Sequence, residues 1–510
     1  MVEKTANTSL VWLIIAVFLV KEAAWLVLVP PREAPDELAH YSYVESLYYE
    51  KKLPEIGVTM FSERVQVVAA ENPASQSSAA PQNAAVESSV FKPGNQLNWI
   101  AQHPPAYYLL LLPLYSVLPH DNVLFSIFVL RFFSILLGAV TVYFSFKTLH
   151  RLLPGQDILN TAIVGAIAFL PMFSFMSAVV NNDNLVMALS SVLFYLLACT
   201  PGPGNAGPGG KDGSGKAMPE KASVEKGGHE EKSCPESFAW SFKIGIVLAL
   251  LALTKVTALP IFVTVFIIRA VYFFRAKGKK EKTRQLRDTA VIFGLPLVLA
   301  AWWYVRNFFI FHTFFPDLKD AVGINPGLLK TNPEIMQIFP ETGPHTDMNL
   351  GYFDFLFNKG FLVEYFKNIW GVFGRFFIQL TSWQYVAIAV FTVLGFGGWI
   401  VEAFKKHRKK NLEWKKILFS DEMISLVIVL LFIGTISWRV YGIMVDRGFM
   451  GAMHGRYFMP ALPAFFYLLL KGWGNILPEK WRNSAFTIFV ALFVLNDIGT
   501  LFYVIIPAFY

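Results

Sequence analysis

Apolar and polar positions fall in long blocks along this chain rather than at a short period. Apolar runs of roughly 20 residues recur from residue 10 to the end, each closed by a polar or basic stretch. A bilayer core of about 30 Å needs about that many residues in helical form. The runs are continuous and not alternating, so they predict helices and not barrel strands. The pattern gives about eleven transmembrane helices. Their positions are roughly 10–29, 123–149, 158–180, 185–200, two within 240–274, 289–312, 384–404, 422–438, 457–472 and 484–507. The first run continues through "WLVLV" past the small residues at 22–24, without a tidy cleavage site, and is read as a retained helix. The expected fold class is an all-α polytopic integral membrane protein.

Two apolar stretches depart from this pattern. "HPPAYYLLLLPLYSVLP" (103–119) is short and broken by Pro104, Pro105 and Pro113, and reads as an interfacial or re-entrant piece. The 240–274 stretch is too long for one helix and carries Lys255 and Pro260 at its centre, so it is split into a hairpin with "TKVTALP" at the turn. Residues 201–237 are Gly, Pro, Lys and Glu in low-complexity order, a composition that cannot bury a core and predicts a disordered linker. The linker divides an N-terminal module, 1–200, with a first outer loop at 30–122, from a C-terminal module, 238–510, with a second outer loop at 313–380. The Ala/Ser/Gln-rich part of 60–99 is a candidate mobile loop over a site, or a plain flexible insertion.

Composition agrees: 55% of the 510 residues are hydrophobic and only 16% charged, where soluble chains carry about 25% charged residues. The net charge of +8 raises nucleic acid as a partner. The basic residues, however, concentrate in 275–287, 405–416 and 471–482, all on one predicted side. That is how orientation in a bilayer is encoded, so nucleic-acid binding is excluded and the N-terminus is placed in the cytoplasm. The lone cysteines Cys199 and Cys234 support neither a disulfide nor a thiolate metal site.

The unusual polar residues collect on the opposite, outer face. They are Asp36, Glu37 and His40 after the first helix, His103 before the double proline, and Asn181, Asn182 and Asp183 after the third helix. Lys255 lies at the hairpin turn, Arg306 and Asn307 end the seventh helix, Arg375 sits in "FGRFF", and His454 and Arg456 in "MHGRY". Any one of these could anchor a helix in the head-group layer. Together, against the positive-inside bias, the basic members call for an anionic partner such as phosphate or pyrophosphate. Carboxylates beside them suit a divalent cation or a proton taken from an attacking hydroxyl. If a short helix begins at 36–40, Asp36 and His40 share a face and Glu37 looks elsewhere.

"PPREAPDELAHYSYV" after the first helix resembles the first-loop acidic motif of GT-C membrane glycosyltransferases. The resemblance is nearest to the domain-of-unknown-function 2142 group and more distant to the protein O-mannosyltransferase and lipid A aminoarabinose transferase branch. "QHPPAYYLLLLPLY", "NNDNLVMALSSVLFYLL", "LALTKVTALP", "WWYVRNFFIFHTFF", "NIWGVFGRFFIQ" and "HGRYFMPALPAFF" follow in the order of that family, covering nearly all of the chain outside the linker. The resemblance implies a GT-C-like fold with large outer loops. It also implies transfer of a sugar from a polyprenyl-phosphate donor to a glycan, lipid or protein acceptor, with inversion, on the outer face of a prokaryotic cytoplasmic (inner) membrane. Asp36, supported by Glu37, would be the base. Lys255, Arg306, Arg375 and Arg456 would bind the donor phosphate, and His40, His103, Asn182 and Asp183 the sugar or acceptor. The superfamily often uses a divalent ion, Mg or Mn, which Asp36, Glu37 and His40 would hold. The chain ends with the last helix, so acceptor recognition is expected from the outer loops.

A flippase or transporter of lipid-linked saccharide is the main rival, with a non-catalytic component of a polysaccharide machine as the other. A transporter should carry ionisable groups near the midplane and broken helices. Here Lys21 and Glu22 are the main charges inside a helix, and the remaining polar motifs crowd one face, which favours an enzyme.

Overall fold

The computed structural model describes residues 2–70, 91–199, 237–328, 349–375, 377–408 and 420–510. The linker 201–236, the centre of the candidate mobile loop (71–90) and part of the second outer loop (329–348) lie outside the described residues.

The apolar runs form helices. In chain order these are α1 (Val2–Leu28), α2 (Glu37–Glu50), α3 (Glu63–Ala70), α4 (Ala106–Ser116), α5 (Val123–Leu152), α6 (Asp157–Ala168), α7 (Pro171–Ser177), α8 (Asp183–Ala198) and α9 (Ser237–Ala252). After these come α10 (Leu259–Arg275), α11 (Lys279–Phe311), α12 (Leu318–Ile324), α13 (Tyr352–Phe357) and α14 (Phe361–Gly371). The chain closes with α15 (Ser382–Arg408), α16 (Asp421–Arg447), α17 (Leu462–Ile476) and α18 (Glu479–Thr500), which runs on through a π-turn to Phe509. Among the described residues, seven helices are long and apolar enough to cross a membrane, and α6 and α7 form an apolar pair bent by 59°, an eighth span if the two are counted as one. The protein is therefore an all-α polytopic membrane protein. Among the described residues, strands are confined to two short antiparallel pairs, Met60–Ser62 with Pro93–Leu97 and Val372–Phe373 with Ile378–Gln379.

Local chemistry sets the ends of these elements. Asn122 and Ser420 cap α5 and α16, their side chains accepting from Phe125 N and Met423 N. Pro171, Pro260 and Pro463 stand in the first turns of α7, α10 and α17, where no intrahelical donor is lost. Pro171 also explains the bend, because it starts a new helix after a two-residue break from the end of α6 at Ala168. The 103–119 stretch yields only the 11-residue α4, with Pro113 inside it. At about 1.5 Å per residue that is too short to span. The 240–274 stretch breaks after Ala252, leaving Lys255 in the connection to α10.

The core runs the length of the bundle and is built from the facing sides of α1, α5 to α10 and α14 to α18. α15 and α17 touch backbone to backbone: a Cβ on Gly398 would lie 1.9 Å from the Gly472 carbonyl oxygen. Small residues at such crossings are what close helix packing in a bilayer requires. A second cluster joins α2 and α4 to the start of α5. A third packs Ile56, Leu97 and Ala101 of the first outer loop on Leu318 and Ala321 of α12. The two outer loops thus lean on each other at the end of the bundle where α1 and α11 finish and α5 and α8 begin.

Candidate active site

Between those loops opens a cavity of about 540 Å³, floored by Asp36, His103, Lys255, Arg456 and Tyr457. Its wall is aromatic, with Trp99, Trp303, Tyr304, Phe314 and Phe315, and Lys319 and Arg439 also line it.

Asp36 is the residue on which α2 starts. Its φ of 60° is left-handed, a conformation that costs a non-glycine residue about 1 kcal/mol or more and clusters at functional sites. Ala452, with φ 56°, shares that strain and lines the same cavity. The turn leaves the Asp36 side chain 29% exposed, within reach of a ligand in the cavity. Trp99 Nε1 donates to Asp36 Oδ1 at 3.1 Å, and Arg456 Nη2 donates to Oδ2 at 2.8 Å. Burial works against the carboxylate charge, but the charge and hydrogen bond of Arg456, with His40 and His454, together outweigh it and hold Asp36 well below the usual carboxylate range.

Asp183, in the first turn of α8, completes the ionic floor. Its Oδ2 accepts from Lys255 Nζ at 2.8 Å and lies 3.2 Å from Arg456 Nε. Asn181 Oδ1 accepts from the Asp183 backbone N–H, and Asn182 Nδ2 donates to the Thr254 carbonyl, fastening the "NNDN" turn to the Lys255 turn. Arg456 is only 4% exposed, yet its Nη1 has no hydrogen-bond partner. A guanidinium N–H left unpaired at a cavity floor has the chemistry to take an anion. The histidines are a different resource. Burial first, then Lys255 and Arg456, push His103 well below its ordinary value; burial and Arg456 do the same to His454. Both therefore meet a ligand as neutral hydrogen-bonding rings. Tyr457 is pulled below its ordinary value by Arg456 and Lys255 against the effect of burial.

The structure separates other residues that the sequence grouped. Glu37 turns away from Asp36: its two oxygens take Arg131 Nε and Nη2 at 2.7 and 2.5 Å, and Oε1 also accepts from Val180 N–H at 2.9 Å. Arg131 spends its remaining donors on the Leu26 and Val29 carbonyls. Glu37 thus ties the start of α2 to α5 and to the chain before α8. It positions Asp36 and is withdrawn from both acid–base and metal work. His40 is fully buried, with Nδ1 2.9 Å from the Tyr108 hydroxyl and its ring stacked on His103. It therefore backs the floor without lining the cavity. Among the described residues no group of three His, Cys, Asp or Glu side chains is placed to hold a metal. Asp36, Glu37 and His40 do not fit a divalent ion as a protein-only site, because Glu37 is committed to Arg131.

Two of the four expected phosphate-binding cations are also elsewhere. Arg306 pairs with Glu55 at 3.3 Å, and Arg375 is 61% exposed and 4.0 Å from Glu33. Position along a helix places a residue near an end but does not give the side chain's direction. Trp99, Lys319, Arg439 and Tyr457 join the cavity unannounced. Tyr457, next to Arg456 in "HGRY", was the one with a signal, since an aromatic beside a buried arginine often stacks on it. Arg456 and Lys255 lie 5.3 and 5.2 Å from its ring centre.

No family model matches the chain, so the membership suggested by its motifs stays a resemblance. No curated protein matches it either. Among solved structures it is similar to ArnT from Cupriavidus metallidurans in the apo state, at 14% identity, with a TM-score of 0.42, over 99% of this chain and 74% of that one.

Proposed function

We propose that the protein is a GT-C-type membrane glycosyltransferase, taking a sugar from a polyprenyl-phosphate donor and passing it to an acceptor hydroxyl at the cavity. The observation that carries this reading is the Arg456 floor: a buried guanidinium with an orphaned N–H beside an accessible aspartate. A phosphate seated there would take Nη1 and compete with Asp36 for Nη2, while Lys255 supplies a point charge. As Arg456 shifts toward the phosphate, Asp36 loses the cation that depresses its proton affinity and becomes a better base. The acceptor oxygen then attacks the anomeric carbon, its proton passing to Asp36. The carbon–oxygen bond to phosphate breaks on the far side, and Arg456 and Lys255 stabilise the charge growing on the leaving polyprenyl phosphate. The aromatic wall suits a sugar ring and the first isoprene units. A divalent ion, if one serves, would be held by the phosphate with Asp36, since the described residues offer no closed ligand set. The site lies at the end of the bundle opposite the basic segments around 275–287 and 471–482, which under the positive-inside rule is the outer face of a cytoplasmic membrane.

The test is transfer itself. Purified protein is supplied with polyprenyl-phosphate hexoses and pentoses carrying labelled sugar, together with a membrane extract as acceptor source. Label should move from donor to acceptor in a Asp36-dependent manner. Donor movement between leaflets of a proteoliposome without sugar transfer would favour the transporter reading, which draws on the buried Lys21, Glu22 and Asp497 beside the bent α6–α7 span.

A further inference from the structure

Away from the cavity, charges meet inside the bundle. Lys21 and Glu22 lie within the apolar span Ser9–Leu28, and Asp497 within Glu479–Phe509. Lys21 is 8% exposed and the two carboxylates are fully buried. Lys21 Nζ donates to Asp497 Oδ2 at 2.5 Å and to Ser174 Oγ, and stands 3.0 Å from Glu22 Oε1. Ser174 Oγ in turn donates to Asp497 Oδ2 at 3.0 Å. The site forms where α6 and α7 break: the Phe169 ring lies 5.2 Å from Lys21 Nζ, and Ser174 is in the first turn of α7.

The charges do not balance. Two carboxylates face one ammonium, and an uncompensated ion in such an interior is strongly unfavourable. The charges acting on Glu22 are those of Lys21 and Asp497. On α5, which packs along α1, the buried Arg131 is committed to Glu37 and to the Leu26 and Val29 carbonyls. α6 brings Asp157 in its first turn, 3.6 Å from His150, with Thr161 and with Asn160, bonded to the Leu153 carbonyl; α7 brings serines. Glu22 Oε1 is held by the Lys21 ammonium, whereas Glu22 Oε2, Asp497 Oδ1, Trp25 Nε1 and Ser177 Oγ are buried with no hydrogen-bond partner among the described residues. Trp25 is one turn along α1 from Glu22, and Ser177 one turn along α7 from Ser174.

We infer that Glu22, Asp497 and Ser174 bind one monovalent cation besides the Lys21 ammonium, a proton or a sodium ion, at the α6–α7 break. The inference is independent of sugar transfer. It uses the general association of ionisable groups at broken helices with ion sites.

The full chain purified in detergent tests it, with two readouts made first on the wild type. One is retention of radioactive sodium, with thermal stability in sodium chloride against choline chloride at equal ionic strength. The other is infrared absorption in the carbonyl region of protonated carboxylic acids at neutral pH, with its shift in heavy water. Sodium retention with a sodium-specific rise in melting temperature identifies sodium; a protonated-carboxyl band persisting at neutral pH identifies the proton. Glu22→Gln should abolish whichever signal is present, and Glu22→Asp should keep it. A wild type showing neither sodium retention nor a protonated carboxyl at neutral pH overturns the inference, leaving internal water only. So does a signal unchanged in a folded Glu22→Gln protein.

Discussion

Arg456 Nη2 reaches across 420 positions of sequence to donate to Asp36 Oδ2 at 2.8 Å. Through this bond the proposed phosphate-binding cation and the proposed base occupy each other. In the proposed reaction a donor phosphate separates them.

That relationship sets a pH dependence. Asp36 is depressed in the folded protein, so its carboxylate form is present above the ordinary carboxylate value of about 3.9 and is lost only as pH falls through the lower folded value. In kcat/KM, which reports the free enzyme, the acid limb due to Asp36 should therefore lie below about pH 4. Arg456→Gln should move that limb upward. A wild-type limb near neutrality that Arg456→Gln leaves in place would contradict the pairing.

Glu37 should behave as a structural residue. Glu37→Gln leaves the fully buried Arg131 without its counter-ion, and breaking such a pair costs about 3–5 kcal/mol. The expected result is a large drop in melting temperature, with activity falling in proportion to folded protein. Asp36→Asn should show the reverse, near-native stability with lost turnover.

Lys255→Ala and Arg456→Ala should each raise the donor KM about 10-fold or more, as expected when a charged hydrogen bond is lost. Arg306→Ala and Arg375→Ala, whose side chains pair with Glu55 and Glu33 outside the cavity, should change it by less than about 3-fold. Steady-state kinetics across the four variants checks the division.

Gly455→Ala tests how Arg456 is positioned. A Cβ at residue 455 would stand 1.8 Å from the Asn368 carbonyl oxygen. The "HGRY" turn must then move away from α14, and overpacking of this kind costs roughly 1–3 kcal/mol. Both melting temperature and donor affinity should fall.

Much of this was legible in the sequence. Continuous apolar runs gave the bundle, since a bilayer demands internally bonded backbone. Asp36, Lys255, Asp183 and Arg456 were legible as one set because charge asymmetry put their loops on one face. What escaped was direction. Glu37 and Asp36 are neighbours, yet a left-handed turn at Asp36 sends one to the cavity and the other to Arg131. Arg131 in "FVLRFF" and Asp497 in "VLNDIG" were themselves clues: a lone charge inside an apolar run needs a partner elsewhere. Trp99, Lys319 and Arg439 come to the cavity by loop packing and helix rotation, which no local pattern encodes.

The central claim is that Asp36 takes the acceptor proton while Arg456 holds the donor phosphate. It is tested most directly by measuring sugar transfer and donor binding together on folded Asp36→Asn protein. Turnover should fall by roughly 10²–10⁴-fold, the scale of a lost general base. Donor should bind at least as tightly as to wild type, since Arg456 no longer has to leave a carboxylate. Retained transfer, or lost transfer accompanied by lost donor binding, would contradict the account.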